Sequence, residues 1–265
     1  ICYLLVLFKK KAILEIHHDI NIEGRITKFI IKYSNFLNNN NLINIVAITN
    51  SVKNLFIKKY NVKASKITVL PSGSSIRINQ IPKFCFNKKL KIGYFGAIST
   101  SKGINTLIRL SKIDRENDYF IYGGSKFDIN NLKKRNNNKN LFLKESMPYA
   151  GLSKIMMKMD ILTIPYTKKV ESAGGVDDIS KYTSPLKLFD YLAVGKIIIA
   201  SDLKVLREII SSKNAYFVKN YENVFEWRRC IIEAKNNRKK LFIMGKNNLR
   251  LSKKYDHFKR VKSYF

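Results

Sequence analysis

The stretch S-P-L-K-L-F-D-Y-L-A-V-G-K-I-I-I-A-S, residues 184 to 201, predicts a short helix followed by a buried strand. Ser184 is a natural N-cap, and Pro185 suits the first helical position, where a missing N–H costs nothing. An apolar stripe recurs at helical spacing through Leu186, Phe189, Leu192 and Ala193. Gly195 ends the helix, and the all-apolar run 197–200 is typical of a parallel strand buried on both faces.

Two charged side chains lie near the beginning of this predicted helix. Lys187 and Asp190 are spaced to share a helix face close to the free N–H groups of the first turn. A helix N-terminus with a lysine beside it binds an anion such as phosphate, and a carboxylate one turn further on can accept hydrogen bonds from a sugar diol. The pattern predicts a clamp for a nucleoside diphosphate. The alternative is an exposed lysine whose pairing with Asp190 contributes only about 0.2–0.5 kcal/mol.

Strands and helices alternate along most of the chain. Predicted strands cover 12–16, 43–49, 67–70, 90–95, 118–122, 140–143, 160–165 and 197–200. Predicted helices cover 22–36, 51–60, 103–112, 129–134, 151–157, 185–194 and 203–210, and two more follow Glu222. Residues 72–87 have the composition of a linker. This alternation indicates a doubly wound parallel sheet with helices on both faces, whose ligands bind beyond the carboxyl ends of the strands.

Residues 184–201 resemble the signature of glycosyltransferase family 4 (group 1), the retaining GT-B enzymes, in which a helix of roughly S-P-x-K-x-F-E-Y-x-A-x-G-K-P holds the donor nucleotide. Further segments resemble this family, and they occur in the family's order. They are L-E-I-H-H-D (14–19), I-T-V-L-P-S-G (67–73), I-G-Y-F-G-A-I-S-T-S-K-G-I-N-T-L (92–107), F-I-Y-G-G (120–124), D-I-L-T-I-P-Y (160–166) and Y-D-H-F-K-R-V (255–261).

The resemblance implies an α/β protein of GT-B type, with one complete Rossmann-like parallel-sheet domain preceded by a partial Rossmann-like domain. We expect the partial, acceptor-side domain over 1–87, the nucleotide-sugar-binding domain over 88–245, and a C-terminal crossing helix over 246–265 that braces the first domain. Family members are usually longer, and this chain of 265 residues begins inside an apolar stretch without an initiating methionine. We therefore expect it to lack most of the acceptor domain.

The resemblance also implies which residues hold the donor diphosphate. Lys187 and Lys102 would supply the two cations, together with backbone N–H groups. Gly96 would allow close approach of the backbone in the phosphate loop. Ala97 stands where the family often has an arginine, so the predicted phosphate site depends on the two lysines. For Lys102 the alternative is a solvated loop lysine.

Three more residues are assigned to the donor by resemblance. Ser184 begins the binding helix, and Asp190 stands where the family usually has a glutamate that binds the ribose hydroxyls. Tyr182 occupies the position of the first glutamate of the family's two-glutamate motif, so one expected contact to the donor sugar is missing. The loop that contains Gly174, Gly175, Asp177 and Asp178 is expected to face the same cleft, with its aspartates solvated.

Two adjacent histidines, His17 and His18, end an apolar strand. The resemblance implies that one of them contacts the donor sugar on the leaving-group side, and the E-x-H spacing to Glu15 favours His17. The alternative is a capping or surface pair, and His257 is expected to be structural. The sequence has no cluster of metal ligands, and the implied chemistry needs no bound metal or cofactor.

The net charge of +31 suggests an anionic partner. Lys, Asn and Ile are all abundant and the lysines are spread over many helices, as A/T-rich codons in tolerant surface positions would produce. No nucleic-acid-binding motif is present, so we expect no nucleic acid partner and favour peripheral contact with an anionic membrane. Three separated cysteines indicate neither a disulfide framework nor a metal site and fit the cytoplasm. The apolar run 1–8 is too short to span a bilayer.

The resemblance implies a glycosyltransferase that moves a hexosyl group, with retention, from a nucleotide-diphosphate sugar to a glycan or lipid-linked acceptor of surface polysaccharide or lipopolysaccharide synthesis. One alternative is a non-catalytic nucleotide-binding remnant of such an enzyme. A dinucleotide-dependent oxidoreductase would require G-x-G-x-x-G after the first strand of the sheet, and Gly93-Tyr94-Phe95-Gly96 does not supply it. A basic nucleic-acid adaptor is the third alternative.

Overall fold

The architecture comes from a computed structural model, which describes residues 1–20, 24–78, 80, 89–171 and 178–264, apart from the side chain of Arg238. The first part of the chain forms an open parallel sheet in the order β1-β2-β3. Its strands and helices are α1 (Cys2–Leu7), β1 (Ala12–Ile16), α2 (Arg25–Tyr33), β2 (Leu42–Ala47), α3 (Asn50–Tyr60) and β3 (Ile67–Val69). Leu42, Ile45, Val52 and Phe56 are among the residues that fill its core.

The second sheet has six parallel strands in the order β6-β5-β4-β7-β8-β9. They are β4 (Lys91–Phe95), β5 (Asp118–Tyr122), β6 (Leu141–Lys144), β7 (Ile161–Ile164), β8 (Ile197–Ser201) and β9 (Ala215–Val218). The chain first adds strands on one side of β4 and then returns to add β7 on the other side. The predicted doubly wound parallel α/β sheet is confirmed, and β9 is an additional strand that the sequence pattern did not indicate.

Helices cover both faces of the second sheet, as predicted. They are α4 (Ile104–Ile113), α5 (Lys126–Arg135), α6 (Tyr149–Met156), α7 (Leu186–Ala193), α8 (Lys204–Arg207), α9 (Val224–Asn236), α10 (Arg238–Ser252) and α11 (His257–Lys262). One core contains Leu107 of α4 and Trp227 of α9, and the other contains Leu188 and Tyr191 of α7. Three helices, rather than the predicted two, follow Glu222 in the described chain.

Residues 184–201 form the predicted helix and strand, but the helix begins at a different residue than predicted. The N-cap of α7 is Pro185, without a side-chain cap, so the prediction that Ser184 caps the helix is wrong. Ser184 Oγ instead accepts a hydrogen bond from the backbone N–H of Ser72, at 3.2 Å. Gly195 follows α7 with a φ of 63°, and a Cβ there would lie 2.7 Å from Leu249 Cγ of α10. A residue without a side chain is therefore required at this turn.

Contacts between distant segments join the two sheets. Arg260 of α11 donates to the carbonyl of Pro71 at 2.8 Å and to Glu15 Oε1 of β1 at 2.6 Å. Glu208, which follows α8, accepts from the backbone N–H of Asn50 at 2.8 Å and from Ser51 Oγ at 2.9 Å. Its carboxylate thus accepts from one free backbone N–H and from a side-chain hydroxyl at the beginning of α3.

No helix within the described parts of the chain is both long enough and apolar enough to cross a lipid bilayer.

Candidate functional site

The predicted diphosphate residues lie where the second sheet changes direction, between β4 and β7. Gly96 directly follows β4 with a φ of 142°, and its N–H donates to the carbonyl of Tyr122 at 2.9 Å. A Cβ at Gly96 would lie 2.8 Å from Lys187 Nζ, and a Cβ at Gly123 would lie 1.8 Å from the carbonyl oxygen of Gly96. The glycine at 96 therefore leaves the space that the lysine amine occupies.

The side chain of Lys187 extends from the first turn of α7 toward the rings of Tyr94 and Tyr166. Its Nζ donates to the hydroxyl of Tyr94 at 2.8 Å and lies 3.9 Å from the centroid of that ring. The same Nζ lies 5.1 Å from the centroid of the Tyr166 ring. Burial lowers the pKa of Lys187 well below the usual value for lysine, and the nearby charge of Lys102 lowers it further.

Lys102, in the loop after β4, also approaches the ring of Tyr166. Its Nζ lies 5.0 Å from the centroid of Tyr166 and donates to the carbonyl of Glu171 at 3.2 Å. Burial lowers the pKa of Lys102, and Glu171 opposes that effect. Gly103, with a φ of 79°, brings this loop onto the end of β7, because a Cβ there would lie 1.6 Å from the carbonyl oxygen of Pro165.

The two ammonium groups therefore converge on one aromatic ring. Burial lowers the pKa values of both partly buried lysines because it disfavours their charged forms, and the charge of Lys102 adds to this effect at Lys187. A bound anion would favour the charged forms again. Sequence reasoning missed Tyr94 and Tyr166, which complete this cluster. The available signal was weak, since one is a tyrosine inside an apolar strand and the other follows a proline at a strand end.

Asp190 lies on α7, but it does not form the ion pair that its spacing from Lys187 allowed. Its Oδ1 accepts hydrogen bonds from Ser74 Oγ at 2.6 Å and from the Tyr149 hydroxyl at 2.8 Å. Burial raises the pKa of Asp190, and these two hydrogen bonds act against that rise. The carboxylate thus connects α7 to α6 and to the segment that follows β3, and the sequence indicated neither partner.

The residues just before α7 contact the first sheet. The carbonyl of Tyr182 accepts from Thr49 Oγ1 at 3.4 Å, and the Tyr182 side chain packs against the core of that sheet. Asp178 Oδ1 accepts from the N–H groups of Val170 and Ser180 at 3.0 and 2.9 Å. Gly174, Gly175 and Asp177 of the predicted cleft loop lie outside the described residues.

The two histidines lie at the carboxyl end of β1, on different partners. His17 Nε2 is 3.0 Å from Glu15 Oε1, and His18 Nδ1 is 3.1 Å from the carbonyl oxygen of Asp19. Glu15 also accepts from Arg260 and from the hydroxyl of Tyr264. Burial alone would raise the pKa of Glu15, but the hydrogen bonds from α11 and its end lower it.

Both histidines border a cavity of about 260 Å³ between β1, α2 and α3. A larger cavity of about 630 Å³ is lined by polar and basic residues around Ser111 and Asn140. It lies at the amino ends of β4 and β6, the edge of the sheet opposite to Lys187, and none of the predicted site residues lines it. Volume is therefore a poor guide to the site in this molecule.

Comparison with known proteins is consistent with this architecture. No curated protein matches the sequence. HepE of Anabaena in complex with UDP superposes with a TM-score of 0.73 at 13% identity, over 98% of this chain and 72% of HepE. HepE in complex with UDP-glucose gives 0.67 at 13% identity, over 98% and 73%. A glycosyltransferase of Rickettsia africae gives 0.68 at 14% identity, over 95% and 68%.

At these identities the likeness concerns the fold, which is the α/β fold of GT-B glycosyltransferases with open parallel sheets. The family model of glycosyl transferases group 1 matches residues 77–250. The matched region contains the whole second sheet and the cluster of Gly96, Lys102 and Lys187. The chain therefore belongs to the glycosyl transferases group 1 family.

Proposed function

We propose that this chain is a family 4 enzyme that transfers a hexosyl group, with retention, from a nucleotide-diphosphate sugar to a glycan or lipid-linked acceptor. Surface polysaccharide or lipopolysaccharide synthesis, on the cytoplasmic side of the membrane, is the process we assign to it. The convergence of Lys102 and Lys187 on the Tyr166 ring carries the proposal. The cluster lies at the switch point of a doubly wound sheet, where such sheets bind their ligands.

In this proposal the two lysines and the beginning of α7 hold the diphosphate. Negative charge grows on the departing nucleoside diphosphate, and fixed cations in a partly buried site stabilise that charge. Each charge-assisted contact contributes about 1.5–3 kcal/mol. Gly96 has no side chain and so leaves room for the Lys187 amine beside the backbone, and the tyrosine rings position the two ammonium groups. Lys102 and Lys187 thus supply the positive charge that the departing diphosphate needs.

Asp190 is proposed to bind the ribose, and Tyr182 and Ser184 to shape the donor site just before α7. Two hydroxyl groups already donate to Asp190 Oδ1, which is the hydrogen-bonding pattern that a ribose diol also offers. Ser74 and Tyr149 would then either share the carboxylate with the ribose or turn to the ribose themselves. The side chain of Asp190 is shorter than the glutamate usual in the family, and the hydrogen bonds from Ser74 and Tyr149 hold its carboxylate in place.

His17 is proposed to contact the donor sugar on its leaving-group side, with His18 as the second candidate.

The first sheet would be the acceptor-side domain, over 1–87, and the second sheet the donor domain, over 88–245, with 246–265 crossing back. Separate cores under the two sheets support this division. The HepE structures contain UDP and UDP-glucose, and the shared fold makes a uridine nucleotide the first ligand to test.

Thermal-shift measurements with UDP, GDP, ADP and CMP test the donor assignment, because a ligand that binds only the native state raises its melting temperature. We expect one nucleoside diphosphate to stabilise the chain, and no shift with any of the four would contradict the proposal. Hydrolysis of sugar nucleotides that carry the stabilising base then separates an enzyme from a non-catalytic remnant. A remnant would bind the nucleotide and release no sugar.

A further inference from the structure

Helix α2 has an outer surface that no other part of the described chain covers. Its sequence is R-I-T-K-F-I-I-K-Y, over residues 25–33. The half-buried Ile30 and Ile31 pack against the core of the first sheet, and Thr27 faces the adjoining cavity. The remaining six side chains are exposed.

Half of this exposed surface is apolar. Ile26, Phe29 and Tyr33 are 78%, 65% and 66% exposed, and their spacing places them in one stripe along the helix. The rings of Phe29 and Tyr33 lie 4.9 Å apart, which makes the stripe continuous. A helix on the surface of a globular protein normally turns polar residues outward, so this stripe needs an explanation.

Cations line the other half of the same surface. Arg25, Lys28 and Lys32 form a second stripe beside the apolar one, and α2 contains no acidic residue. Lys32 Nζ lies 5.1 Å from the centroid of Tyr33, so the two stripes meet. An exposed apolar stripe beside a cationic one is the pattern of a helix that lies in the plane of a bilayer, with its apolar residues at the acyl boundary and its cations on lipid phosphates.

We propose that α2 docks this enzyme on an anionic phospholipid bilayer, so that the acceptor is a membrane-anchored molecule. Charge complementarity selects this occupant, because three cations without an acid suit a surface of lipid phosphates, and nucleic acid would leave the apolar stripe without a partner. The statement about the acceptor rests on the proposed function, whereas the docking itself does not.

The cavity behind α2 fits this arrangement. Ile31 of α2, Leu14 and Ile16 of β1, Ile20, and Phe56 of α3 give it an apolar wall, and His17 and His18 border it. Its volume of about 260 Å³ is smaller than a site for a whole lipid and suits a short apolar segment of one. A chain docked through α2 would hold this cavity and the candidate catalytic histidines at the level of the lipid headgroups.

Vesicle co-sedimentation of the full chain tests the docking. The vesicles are pure phosphatidylcholine, or phosphatidylcholine mixed equally with phosphatidylglycerol, at physiological salt. We expect binding to the mixed vesicles only. Lys28→Ala combined with Lys32→Ala should weaken it about thirtyfold, the combined effect of two charges near the surface. Ile26→Ser combined with Phe29→Ser should weaken it at least about tenfold, because two apolar side chains are lost from the boundary.

The chain offers a matched control on α5. Phe127 is 73% exposed among lysines but has no apolar stripe around it. Phe127→Ser combined with Lys133→Ala should leave vesicle binding unchanged. All substituted residues on α2 are exposed, so the melting temperatures of the α2 variants should match that of the parent.

Several outcomes would overturn the docking. Absence of binding to the mixed vesicles would do so, and so would equal losses in the α2 and α5 variants. A concentration-dependent dimer that the α2 substitutions abolish would assign the stripe to a second copy of the chain, and DNA binding abolished by Ile26→Ser with Phe29→Ser would assign it to nucleic acid. UDP affinity is the independent reading. If vesicles bind through α2 but no nucleotide binds, the docking stands and the proposed function fails.

Discussion

Replacing Lys187 by methionine should weaken the binding of UDP more than any exposed lysine substitution does. Methionine keeps the length of the side chain between the Tyr94 and Tyr166 rings but removes the ammonium group. A charge-assisted hydrogen bond in such a partly buried place contributes about 1.5–3 kcal/mol, which corresponds to a loss of affinity of about 10- to 150-fold.

The protonation of Lys187 provides a second measurable quantity, the pH dependence of the affinity for UDP. The pKa of Lys187 is lowered in the free protein, and a bound diphosphate favours the charged form, so binding takes up a proton. Above the lowered pKa and below the usual 10.5, the affinity for UDP should therefore fall with rising pH, by at most about tenfold per pH unit. In Lys187→Met this dependence should disappear.

Isothermal titration calorimetry between pH 7 and 9, in two buffers of different ionisation enthalpy, measures both the affinity and the proton uptake. Lys112→Met, an exposed lysine at the opposite edge of the sheet, is the matched control. The unfolded chain holds the Lys187 proton more tightly than the folded chain, so the charge destabilises the fold below pH 10.5 and its removal should not lower the melting temperature. An affinity within twofold of the parent would refute the reasoning.

Three further outcomes are expected. Gly96→Ala should weaken UDP binding at least about tenfold, because its Cβ would lie 2.8 Å from Lys187 Nζ on a strained backbone; unchanged affinity would contradict the close packing. Asp190→Asn should raise the melting temperature at neutral pH and lose that advantage below about pH 4, since burial raises the pKa of Asp190 above 3.8 and its ionisation then costs stability as the pH rises. A constant difference from pH 3 to 7 would argue against this. His17→Ala should abolish UDP-glucose hydrolysis while UDP affinity stays the same, and equal loss of both would move His17 out of the chemistry.

Local patterns in the sequence were sufficient for most of the second sheet. The continuous apolar runs of β7 and β8 identify buried parallel strands, because such runs have no polar face to expose. The strand β9 escaped prediction because Ala-Tyr-Phe-Val is short and lies at the edge of the described sheet, and α8 separates it along the chain from its neighbour β8. Family resemblance located Lys102 and Lys187, and their convergence appears only when Gly103 packs against Pro165.

Ser184 and Asp190 show why the remaining details were out of reach. A serine before a proline is a reasonable cap on local grounds, yet its hydroxyl turns to the N–H of Ser72. The spacing of Asp190 from Lys187 allowed an ion pair, yet its carboxylate accepts from Ser74 and Tyr149. In each case the stronger partner comes from a distant part of the chain.

The sequence by itself determined most of the strands and helices and their parallel arrangement, because periodicity, glycine positions and helix termini act over a few neighbouring residues, and the family resemblance identified the two lysines of the candidate site. The tertiary structure alone decided which groups surround those cations: the rings of Tyr94 and Tyr166, the hydroxyls on Asp190 and the Glu15 link between His17 and α11. Burial and hydrogen bonding depend on the packing of segments that lie far apart along the chain, and the pKa values of the site follow from that packing.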